Sequence, residues 1–180
     1  MSVLANAFGE PPASTSAYVD ALVAELGARD PLDVLTLTPS ALRGATAGLS
    51  DDDARRRERD GKWSVLHVVR HLADSDLVSG YRLRLVVAHD RPTISGYDQD
   101  RFADRLHYLD GTLAEALEDH AALRRMNLRW LRTLTDEERA RAGVHSERGE
   151  ESAERLVRLM AGHDLVHLRQ IARVRAALGV

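Results

Sequence analysis

The sequence predicts an all-α protein, a four-helix bundle with short extra helices. Three observations predict it. Apolar residues recur three and four positions apart through long segments, the spacing of one helix face. No segment alternates apolar and polar residues as a strand does, and no Asn-Gly hairpin turn occurs. Leu, Ala, Arg and Glu are abundant and aromatic residues make up only 4% of the chain, a balance that favours helix. With 180 residues, 44% of them apolar, the chain can bury the core of a single domain.

Residues 1–15 contain Gly9, Pro11 and Pro12 and read as a flexible leader, which leaves 16–180 as the domain. A first helix, Ser16 to Leu26, should stop at Gly27, since glycine is a common helix terminator. A short helix is expected from Pro39, with Thr38 as its N-cap. Ser50 and Asp53 suggest another short turn, and residues 58–62 a tight turn. The second long helix, Ser64 to Ala88, carries Leu66, Val69, Leu72, Leu77 and Leu83 around most of its circumference, so it should be buried. Residues 89–100, with Pro92 and Gly96, read as a loop, followed by a short helix at 101–108. Thr112 with Glu115 forms a capping box that opens the third long helix, to Leu134. Thr135 with Glu138 repeats the pattern for a short helix to about Ala142. Residues 143–151 are polar and read as a loop, and the last long helix runs from Ser152 to Leu178.

Charge and composition exclude several functions. The net charge is −3, from 25 basic and 28 acidic residues, which speaks against a nucleic-acid partner. The basic runs Arg55-Arg56-Arg57 and Arg124-Arg125 are interleaved with acidic residues and read as solvated helix faces. With no cysteine, the chain supplies neither a disulfide nor a thiolate. No signal peptide is apparent and no apolar run reaches the ~20 residues needed to span a membrane, so a cytoplasmic protein is expected.

The histidines carry the chemistry. Of eight, His67/His71 and His163/His167 form pairs four apart, a spacing that lets both rings of a pair reach one point. Spacing alone is weak, because eight histidines in 180 residues give roughly 0.35 such pairs by chance. Position adds weight. In the last helix His163 and His167 continue the apolar stripe of Leu156, Leu159, Met160, Val166, Gln170, Ile171 and Val174. Two buried imidazoles are costly unless hydrogen-bonded or metal-bound, so the pair is either a satisfied core pair or part of a metal site. A metal needs a third ligand from a facing helix, and His71, on the side of Val78 and Leu85, can supply it. His67, in the first turn, is a candidate fourth ligand, although a solvent-facing role fits its position better. His120 and Asn127 lie on the stripe of the third long helix, where they are either core residues or pocket-lining ones. His89, His107 and His145 fall in or near loops and are given no role.

Two segments resemble the DinB/YfiT-like superfamily. One is Gly61-Lys62-Trp63-Ser64-Val65 continuing to His71-Leu72-Ala73-Asp74; the other is Gly143 to Glu150 followed by Ala161-Gly162-His163-Asp164-Leu165-Val166-His167. The stretch Gly96-Tyr97-Asp98-Gln99-Asp100 is similar to the family's loop, and the resemblance covers about residues 16–178. It implies an up-down-down-up four-helix bundle, often dimeric, with one divalent metal on His71, His163 and His167. Zinc or nickel is favoured, with iron and manganese as further options. Where this chain has His67, family members often have Glu.

The resemblance implies function only loosely. The expected protein is a metal-dependent enzyme acting on a small molecule, either a hydrolase or an S-transferase that uses a low-molecular-weight thiol. Three imidazoles leave coordination positions for water or a thiol. Tyr97 and Asp98 could reach the site from their loop, and Asp164 could support a ligand from behind. The alternative is a non-catalytic, stress-linked helical homodimer with a structural metal or none.

Overall fold

The computed structural model describes residues 15–180. Most of the expected leader therefore lies outside the described residues. The described chain contains eight helices and three short strands.

Helix α1 (Thr15–Leu26) ends at Gly27, whose φ of +59° lets the chain turn away. Helix α2 (Pro31–Thr46) starts eight residues before the expected Pro39. Asp30 is the true N-cap: its Oδ1 accepts from the Leu32 and Asp33 amides at 2.8 and 3.0 Å, with Pro31 in the first turn. Thr38, expected to cap, is buried inside the helix and donates its hydroxyl to the Val34 carbonyl. Pro39 also lies inside α2. It has no N–H for the Leu35 carbonyl four residues back. Arg124 supplies the missing donor, its Nη1 lying 3.1 Å from that oxygen.

Helix α3 (Asp51–Arg55) is capped by Ser50. Helix α4 (Val65–Ala88) is capped by Ser64. After it come β1 (Thr93–Ile94) and α5 (Gln99–Arg105). Helix α6 (Leu113–Leu131) and the short α7 (Asp136–Ala140) each begin with the expected capping box. Strands β2 (Ala142–His145) and β3 (Gly149–Ser152) form an antiparallel hairpin where a loop was expected, and β1 adds parallel to β2. The strands are two to four residues long, too short to show alternation. Helix α8 (Ala153–Leu178) ends at Gly179, φ +69°.

The bundle consists of α2, α4, α6 and α8. Each packs on two others, in the ring order α2–α6–α4–α8. The helix expected at Ser16–Leu26 is present as α1, but it lies on α8 outside that ring, and α2 takes the fourth place. At Gly162 the contact of α1 with α8 is backbone to backbone: a Cβ there would stand 2.0 Å from the Leu22 carbonyl oxygen.

The core of the bundle is in two halves, and Val19 and Leu22 of α1 form a third cluster with Leu159 and Val166 of α8. Leu42, Leu66, Val69, Leu72, Leu113 and Ile171 belong to one cluster. Leu35, Leu83, Leu128, Leu131, Val157 and Met160 belong to the other. Between them along α4, α6 and α8 lies a layer of buried polar side chains: His71, Asp76, His120, Arg124, Asn127, His163, Asp164 and His167.

Candidate metal centre

His71 comes from the first half of α4 and His163 and His167 from the middle of α8, so two packed helices aim three imidazoles at one point. His163 Nε2 lies 3.0 Å from His71 Nε2 and 3.0 Å from His167 Nε2. All three ligand atoms fall within 4.8 Å of one another. His71 and His167 are fully buried and His163 is nearly so. Burial holds all three imidazoles neutral: His163 is pushed down to about 4, and His71 and His167 lie well below the ordinary value.

A buried neutral imidazole has one N–H and one lone pair. For His167 the neighbouring side chain decides which nitrogen holds which. Gln170 Oε1, an acceptor, sits 2.7 Å from His167 Nδ1. The proton therefore resides on Nδ1, and the Nε2 lone pair faces the centre. Nitrogens that share one zinc-sized ion at 2.0–2.1 Å must lie within about 4.2 Å of each other; both spacings to His163, 3.0 Å each, meet this, and the His71–His167 pair lies within 4.8 Å. His71 Nδ1 is buried without a hydrogen-bond partner. The residues present fit a divalent cation.

Trp63 closes one side. Its ring centroid lies 4.9 Å from that of His71 and 6.5 Å from that of His167. His67 lies against the same indole, 6.4 Å away, and outside the three-histidine cluster. Its Nδ1 lies 2.8 Å from Ser64 Oγ and accepts from the Ser64 amide, while Nε2 faces Arg57. His67 thus does the work of Glu in the capping box of α4. The expectation that it faces solvent is corrected: it is buried, and desolvation with Arg57 nearby lowers it to about 4.

Behind His163 runs a charge network. Arg124 is buried, not on a solvated face as the sequence suggested. Its guanidinium bonds Asp76 at 2.8–3.0 Å and Asp164 at 2.5 Å. Asp164 therefore points at Arg124 and acts on His163 through its field, which favours positive charge there. One cation serves two carboxylates, so the second is hard to ionise, and burial raises Asp76 to about 6. With both ionised the trio is net negative, a favourable neighbour for a cation held by neutral ligands. His120 and Asn127 belong to this network. His120 Nε2 is 3.3 Å from Asp76, and Asn127 donates to the Asp76 carbonyl and accepts from Arg84.

His163 also lines a cavity of about 90 Å³. Tyr97 lines it, as do Tyr18 of α1, Arg82 of α4, Gln99 of α5 and Arg148 of the β2–β3 turn. Asp98 does not; its carboxylate caps α5 by accepting from the Arg101 amide at 2.9 Å. Arg82 and Tyr18 carry no motif, Gln99 and Arg148 lie in segments that resemble the family, and the four come from four elements, so spacing could not have assembled them. Gln170 was legible as a polar residue on the apolar stripe, three positions after His167.

Comparison with known proteins supplies the context. The family model described as "DinB superfamily" matches residues 35–171. The chain is 31% identical over 149 residues to "Putative metal-dependent hydrolase YfiT" of Bacillus subtilis, covering 79% of this chain and 82% of that one. A protein of Geobacillus kaustophilus, also named a "putative metal-dependent hydrolase", is 31% identical over 146 residues, 78% of this chain and 80% of that one. The solved structure of YfiT superposes with a TM-score of 0.77 at 27% identity, covering 83% of this chain and 86% of that one. It is described as "a probable metal-dependent hydrolase with an unusual four-helix bundle topology". Among the described residues no helix is long and apolar enough to cross a membrane.

Proposed function

The chain belongs to the DinB superfamily, and on that premise we propose that it is a metal-dependent hydrolase of a small molecule, with His71, His163 and His167 holding one divalent ion. The observation that carries this reading is the convergence of three neutral, buried imidazoles whose ligand nitrogens lie within 4.8 Å. A divalent ion there supplies a Lewis acid, able to acidify a water or a thiol. The protein's own part is positional. Gln170 holds His167 in the tautomer that can bind a cation. Trp63 closes the side of the site toward α4's first turn. The Asp76–Arg124–Asp164 trio places negative charge behind His163. The cavity beside His163 is the open approach for a substrate. The names of the relatives support the hydrolase class.

Elemental analysis of the untagged protein tests this. About one equivalent of metal is expected in the wild type, with losses in His71→Ala, His163→Ala and His167→Ala. Full occupancy in any of the three single variants would remove that residue from the ligand set. Because the chain has no cysteine, a thiol-transfer reaction would depend wholly on added thiol. A turnover screen with and without small thiols therefore separates hydrolysis from S-transfer.

A further inference from the structure

The cavity beside His163 has a chemistry of its own. No acidic side chain lines it, yet two guanidinium groups do, those of Arg82 and Arg148. Arg148 is neutralised: it makes a bidentate pair with the buried Glu151, at 2.8 and 2.7 Å. Arg82 is not. It donates to the Ser95 carbonyl and lies 5.4 Å over the Tyr97 ring, but forms no ion pair among the described residues. Glu147, the other carboxylate felt by Arg82, rests against Gly96 and does not line the cavity. Burial first and the nearby Arg148 second lower the pKa of Arg82, while Tyr97, Glu151 and Glu147 offset part of that. Leu156, Leu159 and Met160 add an apolar part to the lining.

We infer that this cavity is a carboxylate subsite: it takes the anionic end of a small organic acid on Arg82, with the acid's apolar carbons against Leu156, Leu159 and Met160. A volume of about 90 Å³ holds the end of a substrate and not a polymer, since small-molecule sites usually span about 300–1,000 Å³. Arginine suits this role because its planar fork matches a carboxylate. As a substrate subsite the assignment rests on the three-histidine reading; as an anion site it stands on the cavity alone.

Calorimetric titration of the full chain, metal-free and zinc-loaded, with propionate, propionamide and inorganic phosphate tests it. Propionate should bind at least tenfold more tightly than its neutral isostere propionamide in both forms. Arg82→Gln should abolish that preference without changing zinc uptake. Met160→Phe, which fills the apolar wall, should weaken propionate and keeps the location testable if Arg82→Gln fails to fold. Equal binding of propionate and propionamide by the wild type would overturn the inference, as would phosphate binding more tightly than propionate. If the chain takes up no zinc but retains the propionate preference, the metal reading fails and the subsite stands. Zinc uptake without the preference is the reverse.

Discussion

At the scale of single residues, the candidate centre depends on atoms that do not touch the point where the imidazoles meet. Gln170 is the clearest case. Replacing it with Leu removes the acceptor that holds the proton on His167 Nδ1, and loss of such a supporting partner typically costs 10–100-fold in metal affinity. Gln170→Leu should therefore weaken zinc binding by about that factor in a chelator competition, with the helical circular dichroism unchanged. Gln170→Glu, which keeps an acceptor, should bind near the wild-type level. Equal affinities for all three proteins would show that the tautomer is not under Gln170's control. His163 and His167 were legible from their spacing and their place on the apolar stripe, and His71 from its side of α4. The role of His67 was not, because the capping box is a matter of ring orientation, and His Nδ1 replaces a carboxylate there only once Ser64 is placed.

At the scale of elements, two close approaches organise the fold. In one, Gly162 lets the backbone of α1 touch α8 next to His163. Gly162→Ala would drive a methyl into the Leu22 carbonyl, which cannot move without lifting α1. α1 carries Tyr18, Val19 and Leu22, all of them in the cavity wall. The expected outcome is a loss of about 1–3 kcal/mol in denaturant unfolding, the usual overpacking cost, together with faster amide exchange confined largely to residues 15–26. Wild-type protection of α1 in this variant would mean that the helix is not held at Gly162. In the other, Arg124 meets the α2 carbonyl that Pro39 leaves free. That contact explains how a proline sits in mid-helix, and it is why Pro39 misled as a start signal. Asp30-Pro31 has both the cap and the proline in the right register, and that pair was the better signal.

At the scale of the whole molecule, a polar layer divides the core, and its charge state couples folding to pH. Arg124 is central. Arg124→Met would leave Asp76 and Asp164 buried without a cation, a change that typically costs about 3–5 kcal/mol. Unfolding titrations should show that loss, partly relieved at pH 5, where Asp76, raised to about 6, takes a proton. The histidines set the larger trend. Burial depresses His67, His71, His120, His163 and His167 below the ordinary 6.5. As pH falls through 6.5 the unfolded chain takes up protons that the folded metal-free protein refuses, until about pH 4 at His67, His120 and His163. Stability is thus present above pH 6.5 and lost as pH falls between 6.5 and 4, by up to about 1.4 kcal/mol per pH unit for each such group. Asp76 acts in the opposite sense over about pH 4 to 6, but it is one group against several. The melting temperature of the metal-free protein should drop steeply from pH 7.5 to pH 5. A flat profile would show that these imidazoles are not held neutral.

Most of the helices, the capping boxes of α6 and α7 and the places of His71, His163 and His167 on their helix faces were legible from local patterns, because helical periodicity and capping repeat within one segment; the start and cap of α2 were not. The resemblance added the family. Polarity and charge pattern misplaced what only packing could place. The short β2–β3 hairpin is stabilised by β1 and by α8 behind it more than by any alternation of its own. Arg124 looked like a surface charge because its partners, Asp76 and Asp164, lie 48 and 40 residues away. The tertiary structure decided that α2 and not α1 completes the bundle. It also brought residues of α1, α4, α5 and the β2–β3 turn together around His163. The physical reason is the same throughout: a helix face is written in the spacing of one segment, whereas a buried charge network or a pocket is written in which segments touch.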